Sequence, residues 1–542
     1  MKLFQQLLLA PAALGLLAPM AASAADLNLD AVNKYAGAEE QVTSITQFSD
    51  VQPTAWAYQA LSNLVERYGC VAGYPNGTFK GGQALTRWEA AALLNACLDR
   101  ITEVTDELKR LMKEFQKELA VLRGRVDGLE AKVGELEANQ FSTTTKLRGV
   151  ATFTIGANAF SGDANATLGE SVLLGGKVLP GGNFAGASSF LQGATAMNYN
   201  LDLFLDTSFT GKDLLRTRLR AGNFGASPWG AANANNLVGL NAFEVSFEGA
   251  PGADTVMVNR LFYQFPIGSN FTATVGAKVR QDDMLALWPS AYPADTVLDI
   301  FTYGGAPGTY SLNLGSGAGL WWKSGGWSIS ANYVSANGNN GNPNVGGIGT
   351  DGAAQTGTAQ IAYSGTNYGL AAAYTYTTPQ GGIAGLYGGN GTPLANLGFA
   401  LSDSVSSVGI SGYWTPTSSG WVPSVSAGWG INSHSSDVAE IDGAQSQSWY
   451  VGLQWSDVFI KGNAAGMAVG QATFLTKSGD DSILSANDGN YAWEWWYKFQ
   501  VTDNISVTPA IFYLSAPLGQ LQKANGDSFD NFGGLVKTTF KF

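Results

Sequence analysis

The stretch Tyr199-Asn200-Leu201-Asp202-Leu203-Phe204-Leu205-Asp206-Thr207-Ser208-Phe209 decides the fold. Successive side chains of a strand point to opposite faces. Tyr199, Leu201, Leu203, Leu205 and Phe209 therefore share one side and Asn200, Asp202, Asp206 and Ser208 the other, with Phe204 as the exception. Residues 491 to 500 repeat the pattern: Tyr491, Trp493, Trp495, Tyr497 and Phe499 face one way, Glu494, Lys498 and Gln500 the other. Apolar residues outside and polar residues inside are the signature of a transmembrane β-barrel, and so dense an aromatic face fits a girdle at the membrane–water interface.

Working outward from these two stretches, strand-like segments begin near residues 145, 196, 213, 254, 270, 319, 326, 355, 366, 405, 422, 446, 457, 491, 503 and 533, which makes sixteen. Long connections (158–195, 223–253, 281–318, 336–354, 377–404, 432–445, 472–490, 514–530) alternate with short turns, as expected of long outer loops and short periplasmic turns. A further candidate at Asn241–Glu248 breaks that parity and is assigned to the second long loop. The last strand carries Val536, Thr538, Phe540 and Phe542 on one face. The expected fold is all-β, a sixteen-stranded transmembrane barrel over 144–542 behind a small α-helical domain and a coiled-coil helix.

Composition agrees. Gly reaches 69 in 542 residues, aromatics 11% and charged residues only 13%, unlike an ordinary soluble domain. No segment offers the ~20 consecutive apolar residues of a membrane-spanning helix, so spanning falls to strands. The net charge of −12 argues against nucleic acid. With one histidine and two cysteines no multi-histidine or multi-cysteine metal site can be built, and no cofactor is expected. A Ser-His-Asp centre would have to use His434, which lies in a polar, loop-like stretch and reads as a surface histidine, so no enzyme is expected.

Ahead of the barrel, Lys2, the apolar run Leu7 to Leu17 and Ala22-Ser23-Ala24 read as a signal peptide over 1–25. A linker over 26–45 and a helical domain over 46–100 follow. The segment 101–139 places Leu108, Met112, Phe115, Leu119, Leu122, Val126, Leu129, Val133 and Leu136 at alternating spacings of four and three, a heptad seam. As a coiled coil it would extend ~57 Å at 1.5 Å per residue.

The domain over 46–100 contains Phe48-Ser49-Asp50-Val51, Trp56, Leu61 and Leu64, Gly73-Tyr74-Pro75-Asn76-Gly77-Thr78-Phe79 and Leu85-Thr86-Arg87-Trp88-Glu89. It resembles a surface-layer-homology (SLH) module. From the residues alone, Pro-Asn-Gly is a turn signal, and Thr86 with Glu89 reads as a capping box opening a helix. The resemblance implies a cell-wall glycan as partner, peptidoglycan or a polysaccharide linked to it, with Trp56, Tyr74, Gly77, Thr86, Arg87 and Glu89 as candidate contacts. Such modules normally occur in threes and this chain has one, which with the heptad seam points to a homotrimer. Cys70 and Cys97 occupy apolar positions of the module and read equally well as a disulfide or as packed thiols.

SLH module, heptad segment and barrel in this order resemble the cyanobacterial outer-membrane porins, whose barrel belongs to the carbohydrate-selective (OprB-like) porin family. Residues 214–221 (LLRTRLRA) and 282–289 (DDMLALWP) carry the likeness in the barrel. The resemblance implies passive diffusion through an outer-membrane barrel, of sugars or inorganic ions including iron. It also implies contact with outer-membrane lipid and with the barrel-insertion machinery through Phe542. The alternative from another class is a structural tether whose barrel is narrow or closed.

Parity nominates the pore lining. Arg216, Arg218 and Arg220 alternate with Leu215, Thr217, Leu219 and Ala221 and point inward, opposite Asp202 and Asp206, with Asp206 facing Arg216 or Arg218. With Phe271, Ala273, Val275, Ala277 and Val279 outward, Lys278 and Arg280 turn inward, and similar reasoning places Arg260 inside. The long loop that follows carries Asp282, Asp283, Asp295 and Asp299 and is expected to fold into the lumen, where opposed charges would set selectivity. The plainer reading is that these arginines pair with the acids only to stabilise the wall.

Overall fold

In the computed structural model the described residues are 43–54, 58–67, 69, 71, 77–81, 144–165, 183–230, 238–293, 297–379, 390–418, 420–479, 489–519 and 528–542. The chain divides into two compact units, Met1–Asn139 and Gln140–Phe542.

In the first unit, the helix Tyr58–Ser62 (α1) and a single turn at Ile45–Gln47 close over Ile45, Phe48, Leu61, Val65 and Val71. Ser44 caps that turn, and its hydroxyl reaches Glu66 Oε1 at 2.9 Å. The heptad segment, Cys70 and Cys97 lie outside the described residues.

The second unit is a closed antiparallel barrel of sixteen strands among the described residues. They are β1 (Thr145–Gly162), β2 (Ala196–Thr207), β3 (Leu214–Gly222), β4 (Met257–Ile267), β5 (Phe271–Arg280), β6 (Leu314–Ser324), β7 (Trp327–Ser335), β8 (Gln355–Ser364), β9 (Tyr368–Thr378), β10 (Ser404–Trp414), β11 (Ser424–Ser435), β12 (Gln445–Ser456), β13 (Ala464–Lys477), β14 (Tyr491–Thr502), β15 (Ile505–Ser515) and β16 (Phe529–Lys541). Each pairs with its sequence neighbour, and β1 pairs with β16, so no edge is left for lipid to meet. Phe542 completes the closure by exchanging backbone hydrogen bonds with Gly149. Residues 239–248 form no strand and belong to the loop between β3 and β4.

Several boundaries differ from those expected from the sequence. The segment 457–463 looks strand-like but is a turn: Asp457 and Phe459 have φ of 58° and 62°, and Asp457 Oδ1 accepts from Gly462 N. β13 therefore starts at Ala464. β6 starts at Leu314 rather than near 319, because glycines that carry no alternating signal still pair with β5. His434 is no surface residue. It sits inside on β11, 3% exposed, with Ser402 and Ser446 hydroxyls at its two ring nitrogens.

Much of one side of the lumen is filled. The helix Phe184–Gln192 (α2), from the β1–β2 loop, and parts of the loops 223–256 (L2) and 281–313 (L3) pack Phe184, Trp229, Phe243, Leu298 and Phe301 against Ala492, Phe512 and Leu535 of the inner wall.

Candidate functional site

The site is built from L3 and the inner faces of β1 to β5. L3 leaves β5 and crosses to the far wall, where its backbone is held by inward hydroxyls. Ser330 on β7 accepts from Ala286 N (3.0 Å), and Ser426 on β11 accepts from Ala291 N and Tyr292 N (2.9 and 3.0 Å). Thr375 on β9 donates to the Thr309 carbonyl (2.7 Å) and Ser448 on β12 to that of Gly305 (2.8 Å). Glu494 on β14, fully buried, accepts from the Tyr292 hydroxyl (2.7 Å) and from Leu298 N (2.8 Å). Backbone can approach the wall so closely because β11 offers glycine there: a Cβ at Gly428 would overlap the Gly304 carbonyl oxygen. L3 is also stitched to L2, with Glu244 N donating to Val297 O (3.2 Å) and Asp299 N to Ala242 O (2.9 Å).

On the opposite wall stands the row of arginines. The register sets Asp206 opposite Arg216, Phe204 opposite Arg218 and Asp202 opposite Arg220. Arg216 binds Asp206 through two nitrogens at 2.8 Å each, and Arg218 Nε reaches Asp202 Oδ1 at 2.7 Å. Arg220 Nε donates to Asn200 Oδ1 at 2.7 Å and lies 3.6 Å from Asp202. Arg260, 2% exposed, bonds Asp283 Oδ2 at 2.7 Å, and Arg280 pairs with Asp282. Acids at the start of L3 thus meet the arginine wall directly.

Phe204, the exception to the alternation, is explained by the same wall. Its ring is a platform over which the guanidiniums of Arg148, Arg218 and Arg216 stand 4.4, 5.1 and 5.6 Å from the centroid. Arg148 escapes a strand-by-strand reading because its neighbours alternate weakly.

Two parity assignments are corrected. The β4–β5 and β5–β6 registers both shift after Gly276, so a bulge places Lys278 opposite Leu261, whose side chain is exposed on the outer wall. Lys278 thereby leaves the inward row. Val279, expected outward, turns in and is completely buried with Phe262, Met284 and Val334. Arg280 still meets the lumenal acids.

Asp299 forms none of the ion pairs described for these arginines. Its Oδ2 accepts from Tyr303 OH (3.2 Å) and Asn390 Nδ2 (3.0 Å), and Thr302 Oγ1 lies 3.4 Å from both Asp299 Oδ1 and Glu244 Oε2. Burial pushes the Glu244 carboxyl well up, and the neighbouring Asp299 charge pushes the same way. Glu244 lies in Asn241–Glu248, which alternates like a strand, and nothing in that alternation marks its carboxyl as one buried beside Asp299. Asp295 lies outside the described residues.

Of the SLH candidates only Gly77 is described; Trp56, Tyr74, Thr86, Arg87 and Glu89 are outside. Gly77, at φ 69°, accepts from Ser49 N at 3.0 Å. Asp50 fastens the same turn by accepting from Phe79 N and Lys80 N at 2.7 and 2.6 Å. The Phe79 N–H foremost, with that of Lys80, holds its carboxyl below the ordinary value despite partial desolvation. Among the described residues no group of three or more His, Cys, Asp or Glu side chains could hold a metal ion.

Comparison with known proteins bears on both units. Residues 103–542 match the family described as carbohydrate-selective porin, OprB family, and residues 47–91 match the S-layer homology domain. The chain is 35% identical to an uncharacterized protein of Nostoc sp. strain PCC 7120, over 95% of this chain and 88% of that one. It is 30% identical to another of Synechocystis sp. strain PCC 6803, over 93% and 91%. A stretch covering 17% of this chain is 40% identical to outer membrane protein SlpA of Deinococcus radiodurans, of which it spans 8%. Among solved structures, Pseudomonas putida OprB at high pH aligns over 76% of this chain and 96% of its own, with 12% identity and a TM-score of 0.46.

Proposed function

From the premise that this chain belongs to the OprB family of carbohydrate-selective porins and carries an SLH domain, we propose that it lets small hydrophilic solutes and inorganic ions, sugars among them, diffuse passively across the outer membrane. Under the same proposal its SLH domain ties the barrel to peptidoglycan. The observation that carries the pore reading is the division of the lumen: L3 is bound to the far wall, while β1 to β5 carry the row of arginines and their acids. Rings of fixed charge at such a narrowing set which ions pass. Solutes would travel along the arginine wall, where Arg216, Arg218, Arg220, Arg260 and Arg280 stand with Asp202, Asp206, Asp282 and Asp283 beside them. This is the work of a channel rather than an enzyme.

Recording in planar bilayers tests the proposal. Wild-type protein should give discrete channels, and in a salt gradient the triple change Arg216→Gln, Arg218→Gln, Arg220→Gln should move the reversal potential toward cations. An unchanged reversal potential and conductance would show that the solute path lies elsewhere. The tether reading is favoured by one observation, the apolar packing of α2, L2 and L3 against β14 to β16. It predicts bilayers that stay silent.

A further inference from the structure

Arg148, Phe204, Arg218 and Arg260 form one cross-strand row of the inner wall, running from β1 to β4. Charge is unevenly shared along it. Four arginines of β1 and β3 are touched by only two carboxylates. Asp206 holds Arg216 at 2.8 Å and has Arg148 at 3.7 Å; Asp202 holds Arg218 at 2.7 Å and has Arg220 at 3.6 Å. Around Phe204 itself stand Arg148, Arg216 and Arg218, three cations to the two anions Asp202 and Asp206, while Arg220 lies over Phe247. The next two arginines differ, since Arg260 and Arg280 have one carboxylate each.

The donors here are available as well as charged. At 3.7 Å the Arg148 contact is too long for a hydrogen bond, and its side chain is 55% exposed. Arg218 engages its aspartate through Nε, its guanidinium carbon stands 5.1 Å from the same ring, and its side chain keeps 16% exposure. A planar guanidinium is weakly hydrated and presents a fork that matches two oxygens of one anion. The Phe204 face gathers the guanidiniums by cation–π attraction but contributes no net negative charge. An oxyanion would supply it.

Resting on the pore reading, we propose that Arg148, Arg218 and Phe204 form a binding station for a small oxyanion, a phosphate, sulfate or carboxylate group. It stands at the end of the path where β1 begins. A solute bearing such a group pauses there, bridged between Arg148 and the outer nitrogens of Arg218. Arg216 and Arg220 remain committed to Asp206 and Asn200.

Inorganic phosphate is the probe, added at constant ionic strength to full-length protein in planar bilayers carrying a chloride current. Phosphate should reduce the wild-type current saturably. Arg148→Gln should weaken the block about tenfold or more, the worth of one charge-assisted contact. Arg148→Lys, which keeps the charge but not the fork, should fall between. Lys212→Gln, an exposed change in the β2–β3 turn, should block like wild type. Open channels whose current phosphate leaves untouched, or an Arg148→Gln channel blocked as strongly as wild type, overturn the station and leave the pore standing. The absence of channels overturns both.

Discussion

Asp213 closes the turn between β2 and β3 with both carboxylate oxygens. Oδ1 accepts from Phe209 N, Thr210 N and the Ser208 and Thr210 hydroxyls at 2.8 to 3.0 Å, and Oδ2 from the Tyr263 hydroxyl at 2.7 Å. Burial alone raises this carboxyl, but the Thr210 N–H and the surrounding hydroxyls outweigh it and hold it well below the ordinary range. A folded value below the unfolded one means the stabilisation is complete at neutral pH. It is lost only as pH falls below the ordinary carboxylate value of about 3.9 toward the folded one. Asp213→Asn, which cannot accept at both positions, should therefore lower the unfolding temperature at pH 7. The difference from wild type should narrow in strong acid. An equal difference at both pH values would mean that charge is not what Asp213 contributes. Phe204 is legible at this scale only as an anomaly, since its cation–π role depends on arginines from two other strands.

Among the elements, L3 departs furthest from anything periodic. Its hold on the wall centres on Tyr292, whose hydroxyl donates to Glu494 Oε1 and accepts from Trp496 Nε1 at 2.8 Å. Tyr292→Phe leaves both partners buried and short of a bond, a cost of about 1–3 kcal/mol. Melting followed by circular dichroism should show that loss, and single channels should become noisier as L3 loosens. Unchanged melting and noise would mean that water replaces the hydroxyl and that L3 is held elsewhere. The bulge in β5 belongs to this scale too. One extra residue reverses the parity of Lys278 and Val279, and no residue in 271–280 announces it.

For the molecule as a whole, one SLH copy and a heptad seam lead us to propose a trimer, with barrel walls and helices both contributing. Protein extracted in mild detergent should have three times the mass of one chain, and a purely monomeric mass would refute this. Wall binding through Arg87 is separable from assembly. Arg suits planar recognition of an acidic sugar substituent, so Arg87→Ala protein should pellet with purified cell wall less than wild type while keeping its mass. Equal pelleting would remove Arg87 from the contact.

Alternation along most of the strands, with the rhythm of long and short connections, determined the sixteen-stranded wall, the outward aromatics and the inward side of Arg216, Arg218 and Arg220. Lipid imposes this locally: every spanning backbone group must pair and every second side chain must be apolar, so a few residues of pattern suffice. The tertiary structure decided the rest. It set which acid holds which arginine, brought Arg148 onto Phe204, buried His434, and seated L3 on Ser426, Ser448 and Glu494. The contact between Tyr292 and Glu494 joins positions 202 apart in the chain, and bonds across such a separation leave no period for a sequence to display.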